Sequence, residues 1–339
     1  MLVTMTYPRS ILIPRGSPGT FHCVSRCVRR AFLCGEDRLT GRSFEHRRQW
    51  IEDRLHALAE IFGVAIWGAA LGILPTAALA HPCASYAVMS NHLHVVVQTL
   101  PEAVANWSDL EVASRWIRLF SRQDLDASVR SEVLAGNAER VAILRERLSD
   151  LSWFMRCLSE PIARAANKED ICKGRFWEGR FRCQVLLDEA AVLAAMTYVD
   201  LNPVRAKICD TLEESHHTSA RKRIGEIERH APAATQALAP IAGVRGFGVL
   251  AMSQADYLSL VDFTGRLIRP DKRGAITGPA PAALARLGYR EDQWIGHVQA
   301  VRSDFSRAMG AVESLIDKAG EIGQQWLRGI ATARRLARG

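Results

Sequence analysis

Two histidines, His92 and His94, open the run "HLHVVVQTL" with a single leucine between them. In an extended strand, residues i and i+2 face the same side, so both imidazoles lie on one face while Leu93 packs behind. Two neutral imidazoles on a rigid strand are half of a divalent-metal site. An H-x-H pair also arises in an ordinary packed core, so a metal reading needs an oxygen donor and a reaction to serve. The stretch "MTYVDLNPVRA" offers both: Tyr198 and Asn202 are four apart and share a helical face. An amide oxygen from Asn202 would complete the inner shell and set the Tyr198 hydroxyl beside a metal-polarised group, the arrangement a covalent nucleophile requires. A phenol with a free pKa of about 10 attacks poorly at neutral pH unless its electrophile is polarised and held in line. The competing reading of Tyr198 is a half-buried packing residue.

A third element precedes the tyrosine. "KGRFWEGRFR", residues Lys173 to Arg182, interleaves cations with aromatics. Arginine pairs with phosphate, and Phe or Trp stacks on unpaired bases at about 1–3 kcal/mol per base. Lys173, Arg175, Phe176, Trp177, Arg180 and Arg182, with Arg205 from "NPVRA", are the candidate DNA contacts. The plainer reading is that the aromatics pack.

These residues need elements to hold them. "FHCVSRCV" alternates as a first strand, with His22 facing either the site or the core. "FEHRRQWIEDRLHALAEIFG" is an amphipathic helix stopped by Gly63, and "SYAVM", a turn and "HLHVVVQTL" form a hairpin. Asp188 is placed as the N-cap of the tyrosine helix, which Pro203 should end. Residues 1–19 read as an irregular tail, and 20–212 as the domain that holds the chemistry, with insertions near 64–82 and 105–150. Residues 213–240 read as a linker with a short helix, in which His216 and His217 are solvated, and 241–339 as a mainly helical region.

The chain has 339 residues, enough for two domains or one with insertions, and its formal charge of +8 favours a polyanionic partner, nucleic acid first. The eight cysteines include no C-x-x-C pair, and Cys23, Cys27 and Cys34 lack a second cluster to close a zinc site. Free thiols and a start without the signal-peptide pattern point to a cytoplasmic protein. Val64 to Ala80 is uncharged but short, broken by Pro75 and without a basic flank, which favours a buried insertion over a membrane span. "RPDKRG", Arg269 to Gly274, is net basic and reads as a solvated loop or a backbone contact.

"FHCVSR", "YAVMSNHLHVVV", "GRFWEGRF" and "MTYVDLNPVRA" follow in the order, and nearly the wording, of the REP-associated tyrosine transposases, a branch of the HUH-type single-tyrosine transposases of insertion sequences. The chain resembles that family over about 20–212. The resemblance implies an α+β fold: an antiparallel sheet flanked by helices, a ferredoxin-like or RRM-like palm, with a mainly helical C-terminal extension. It implies that His92 and His94 bind Mg²⁺ or Mn²⁺ and that Tyr198 attacks a DNA phosphodiester. The product is then a 5′-phosphotyrosine and a free 3′-hydroxyl. Asn202 falls where related enzymes place a third polar ligand, usually a glutamine. The implied partner is single-stranded DNA beside hairpin-forming repeats, and the protein would act as a monomer or homodimer.

Rival readings are a hairpin-binding protein that no longer cuts, and a histidine-dependent phosphoesterase. The second fits poorly: Val96 stands where the His-triad pattern needs histidine, and His94 where paired H-x-T/S motifs need a hydroxyl.

Overall fold

A computed structural model describes residues 9–28, 32–37, 40–65, 85–120, 126–238, 252–268, 281–305 and 307–338. Most of the uncharged run, the start of the N-terminal tail and "RPDKRG" lie outside the described residues.

Six strands form one sheet: β1 (Gly19–Arg26), β2 (Val64–Ala65), β3 (Ser85–Val88), β4 (His92–Thr99), β5 (Arg182–Leu186) and β6 (Ala308–Met309). Strand β4 carries β2 and β3 along its outer edge and pairs on the other side with β1, which pairs in turn with β5. All of these pairings are antiparallel; β6 is added parallel to β5. Helix His46–Ile61 joins β1 to the β3–β4 hairpin, and helix Leu151–Glu169 leads into β5. Strand, helix, two strands, helix, strand in the spatial order β3-β4-β1-β5 is the split βαβ arrangement of a ferredoxin-like palm. The expected α+β class holds. The departure is β6, a parallel edge contributed by the C-terminal region, so the sheet is not wholly antiparallel.

Both connecting helices cover one face. Ile51, Leu55 and Leu58 from the first, and Phe154 and Leu158 from the second, are fully buried in one core cluster with Phe21, Cys23, Val95 and Val97 of the sheet. Each such aliphatic or aromatic side chain contributes about 1.5–3 kcal/mol. The expected 105–150 insertion is helical: Pro101–Ala105, Asp109–Phe120, Ala127–Ala135 and Ala138–Leu148.

The opposite face, which such a palm leaves open, is roofed by helix Glu189–Asp200. Asp188 caps it as expected, accepting Ala191 N–H at 2.9 Å, and its second oxygen accepts Ala311 N–H from beyond β6 at 2.5 Å. Asp200 pins the other end. Fully buried, it accepts hydrogen bonds from Tyr257 Oη at 2.7 Å, Arg223 Nη1 at 3.2 Å, Ala220 N–H at 3.1 Å and Ser219 Oγ. These ties correct the linker reading: helix Ser219–Arg229 packs against the domain through a buried ion pair. His217, expected in solvent, binds Glu52 at 2.8 Å. That contact and those of His56 and Tyr86 hold the Glu52 carboxyl well below the usual range despite its burial.

Candidate active site

On β1, β4 and β5, residues directly opposite one another share a face: Arg26 with His92, Val24 with His94 and Arg182, and His22 with Val96 and Gln184. This alternation puts His22, His92, His94, Gln184, Arg26 and Arg182 on the face of the sheet that the tyrosine helix covers. The rings of His92 and His94 lie 4.8 Å apart, and those of His22 and His94 stack at 5.2 Å. The Tyr198 ring meets His94 edge-on at 5.7 Å and His22 at 6.0 Å. The guanidinium of Arg205 sits over the Tyr198 ring, 4.7 Å from its centre. Tyr198 is 5% exposed, so its ring is held by surrounding packing.

The tyrosine helix ends at Asp200, and a single turn, Asn202–Arg205, carries on with Pro203 in its first positions. That turn brings Arg205 back over the ring. Asn202 is buried, and its amide nitrogen, like one nitrogen of Arg205, has no hydrogen-bond partner among the described residues. The amide makes no hydrogen bond to any of the site histidines.

Burial makes all three imidazoles reluctant to charge. The His22 pKa falls to about 4 by desolvation, and that of His92 also to about 4, by desolvation and then the charges of Arg26 and Arg302. His94 is pushed well down by desolvation, then by His22, His92, Arg26 and Arg205. Neutral imidazoles at neutral pH are the form a cation requires.

Within the described residues no group of three or more His, Cys, Asp or Glu is placed to hold a metal. What the site offers is two imidazoles and a wall of arginines; the Asn202 nitrogen that lacks a partner is a hydrogen-bond donor and cannot ligate a cation. That donor set fits a divalent ion that completes its shell with phosphate oxygen and water.

The loop "KGRFWEGRFR" needs correction in part. Phe176 is 3% exposed, and its carbonyl accepts Val28 N–H at 2.9 Å. Trp177 is half-buried and donates Nε1–H to the Ser159 carbonyl at 2.8 Å. The Phe176 carbonyl and the Trp177 indole fasten the loop next to the end of β1 and to helix Leu151–Glu169, and the buried Phe176 ring is not a platform for bases. Lys173, Arg175, Arg180 and Arg182 are exposed. Three participants escape the sequence reading. Arg26 follows from the alternation that places His22, four residues before it. Gln184 is a polar residue in strand β5, which no motif marks. Arg302 has no local signal. The cysteines described are free thiols, as expected.

No protein-family model matches the chain, and a comparison with curated proteins finds no match. Among solved structures, the chain is similar to a REP-associated tyrosine transposase bound to a REP hairpin, at 10% identity and a TM-score of 0.34. The similarity covers 61% of this chain and 79% of that one. No helix among the described residues is long and apolar enough to cross a membrane.

Proposed function

We propose that the protein cleaves and rejoins single-stranded DNA near hairpins through a covalent 5′-phosphotyrosine on Tyr198, with a divalent cation held by His92 and His94. The observation that carries this reading is the convergence of the Tyr198 ring on the strand-borne histidines, 5.7 Å from His94, beneath a helix fixed at both ends.

His92 and His94 would hold the ion, with the Asn202 side-chain oxygen as a further donor. When bound, the ion withdraws electron density from a phosphate oxygen and makes the phosphorus more electrophilic. Arg26, Arg182, Arg205 and Arg302 neutralise the phosphate and orient it. Tyr198 Oη then bonds to phosphorus as the bond to the 3′-oxygen breaks. The phenol proton passes to water, and the departing oxygen takes a proton from water. A 3′-hydroxyl attacking the phosphotyrosine reverses the step and restores the phenol. The exposed cations of the 173–182 loop track the strand. The residues that would do this chemistry lie within 20–212 apart from Arg302, under the roof that helix Glu189–Asp200 makes.

The test is incubation with 3′-labelled hairpin oligonucleotides and Mn²⁺, followed by a denaturing gel. A labelled band retained on the protein, and lost in Tyr198→Phe, supports cleavage. Hairpin binding with no adduct from the unsubstituted protein would favour a binder that has lost catalysis.

A further inference from the structure

Three histidines crowd the site, yet their hydrogen bonds divide them into different roles. Gln184 donates its amide Nε2–H to the Phe305 carbonyl at 2.8 Å, which fixes the orientation of that amide. Its oxygen therefore faces His22 Nδ1, at 3.4 Å. An amide oxygen only accepts, so the proton of that contact lies on His22 Nδ1. A neutral imidazole carries one proton, which leaves His22 Nε2 an acceptor. His22 Nε2 lies 2.9 Å from His94 Nδ1, so His94 Nδ1 is the donor and the lone pair of His94 is on Nε2. Both nitrogens of His22 are consumed by this chain.

We propose that His22 and Gln184 are positioning residues, anchored on the Phe305 carbonyl, that lock His94 in the Nδ1–H tautomer with Nε2 free to bind the cation. His22 is accordingly not a ligand, although its ring stacks on one. The C-terminal region is part of the catalytic centre, because Phe305 carries the last acceptor of the relay and the adjoining β6 pairs with the strand that bears Gln184. The inference rests on the reading of His92 and His94 as metal ligands. The relay is the outer-shell device by which a carbonyl or carboxylate fixes a ligating histidine, here extended through two side chains.

Two measurements test it. The first needs no metal: nitrogen-15 spectra of histidine-labelled protein report which ring nitrogen carries the proton. His94 should be in the Nδ1–H form, and Gln184→Leu should convert it to a mixture while leaving His92 unchanged. A Nε2–H form in the unsubstituted protein, or no response to Gln184→Leu, overturns the relay. The second is a Mn²⁺ titration followed by electron paramagnetic resonance, on variants whose circular dichroism matches the unsubstituted protein. His22→Phe should weaken Mn²⁺ about ten- to a hundredfold. His22→Gln, whose amide can accept from His94 and donate to Gln184, should recover part of that loss. If His92→Ala abolishes binding while Gln184→Leu and His22→Phe leave it unchanged, only the relay fails. If the unsubstituted protein binds no Mn²⁺, the active-site reading fails and the relay with it.

Discussion

Strand β4 carries two chemistries on one backbone. Leu93, Val95 and Val97 point into the layer of connecting helices, each 1% exposed or less. His92, His94 and Gln98 point the other way, toward the tyrosine helix and its arginines. Across the sheet β1 repeats the division, with Phe21 and Cys23 against His22 and Arg26. One face supplies free energy of folding, and the other spends some of it by burying imidazoles that would be better hydrated outside. A period of two keeps the two separate, and a slip of one residue in register would exchange them.

That division can be broken by substitution, and the largest effect belongs on the polar side. Tyr198→Phe should remove all covalent adduct while retaining hairpin affinity, read on denaturing and native gels from the same reaction. His92→Ala and His94→Ala should take cleavage to background with hairpin affinity nearly unchanged, since the cation polarises the phosphate rather than gripping the strand. Unchanged cleavage in either would refute the metal assignment.

Leu93→Ala, between those histidines in sequence, should do the reverse. It should cost about 2–5 kcal/mol of stability in a denaturant melt, with the surviving folded fraction still cutting.

Acid should sharpen the contrast further. His22, His92 and His297, the last buried on helix Glu291–Ser303 of the C-terminal region, have folded pKa values of about 4 against an ordinary 6.5. Between those values the unfolded chain binds protons that the folded chain refuses, so stability falls as pH drops from 6.5 toward 4. Thermal melts should show this loss before most carboxylates titrate, and His297→Gln should reduce it. A melting temperature flat from pH 6.5 to 5 would contradict it.

The smallest effect is expected at the exposed loop. Arg175→Ala and Arg180→Ala should each lower the slope of log affinity against log salt by about 1 and weaken binding evenly across sequences. A loss specific to one sequence would mean that these side chains read bases.

The periodic parts of this design are legible in the amino-acid sequence alone. Histidines two apart on a strand, Tyr198 and Asn202 four apart before Pro203, and Asp188 at a helix start are local patterns, and local geometry enforces them. Phe176 misleads because composition cannot say whether an aromatic in a basic loop faces a base or the core. Strand β5 escapes notice because "RCQVL" follows that loop and alternates weakly. The partners of His22 are set by cross-strand register and by a carbonyl near the end of the chain, relations that no window of sequence contains. The buried Asp200–Arg223 pair is hidden for the same reason: its basic partner lies in a stretch whose polarity suggests a solvated linker.

The distance along the chain between His22 and Phe305 has a consequence for biogenesis. At about 5–20 residues per second, a ribosome makes Phe305 roughly 15–60 s after His22. Through that interval the palm can form while His94 lacks the far end of its support. On the proposed function, the nascent chain would be incompletely armed until this late segment docks and completes the support of His94.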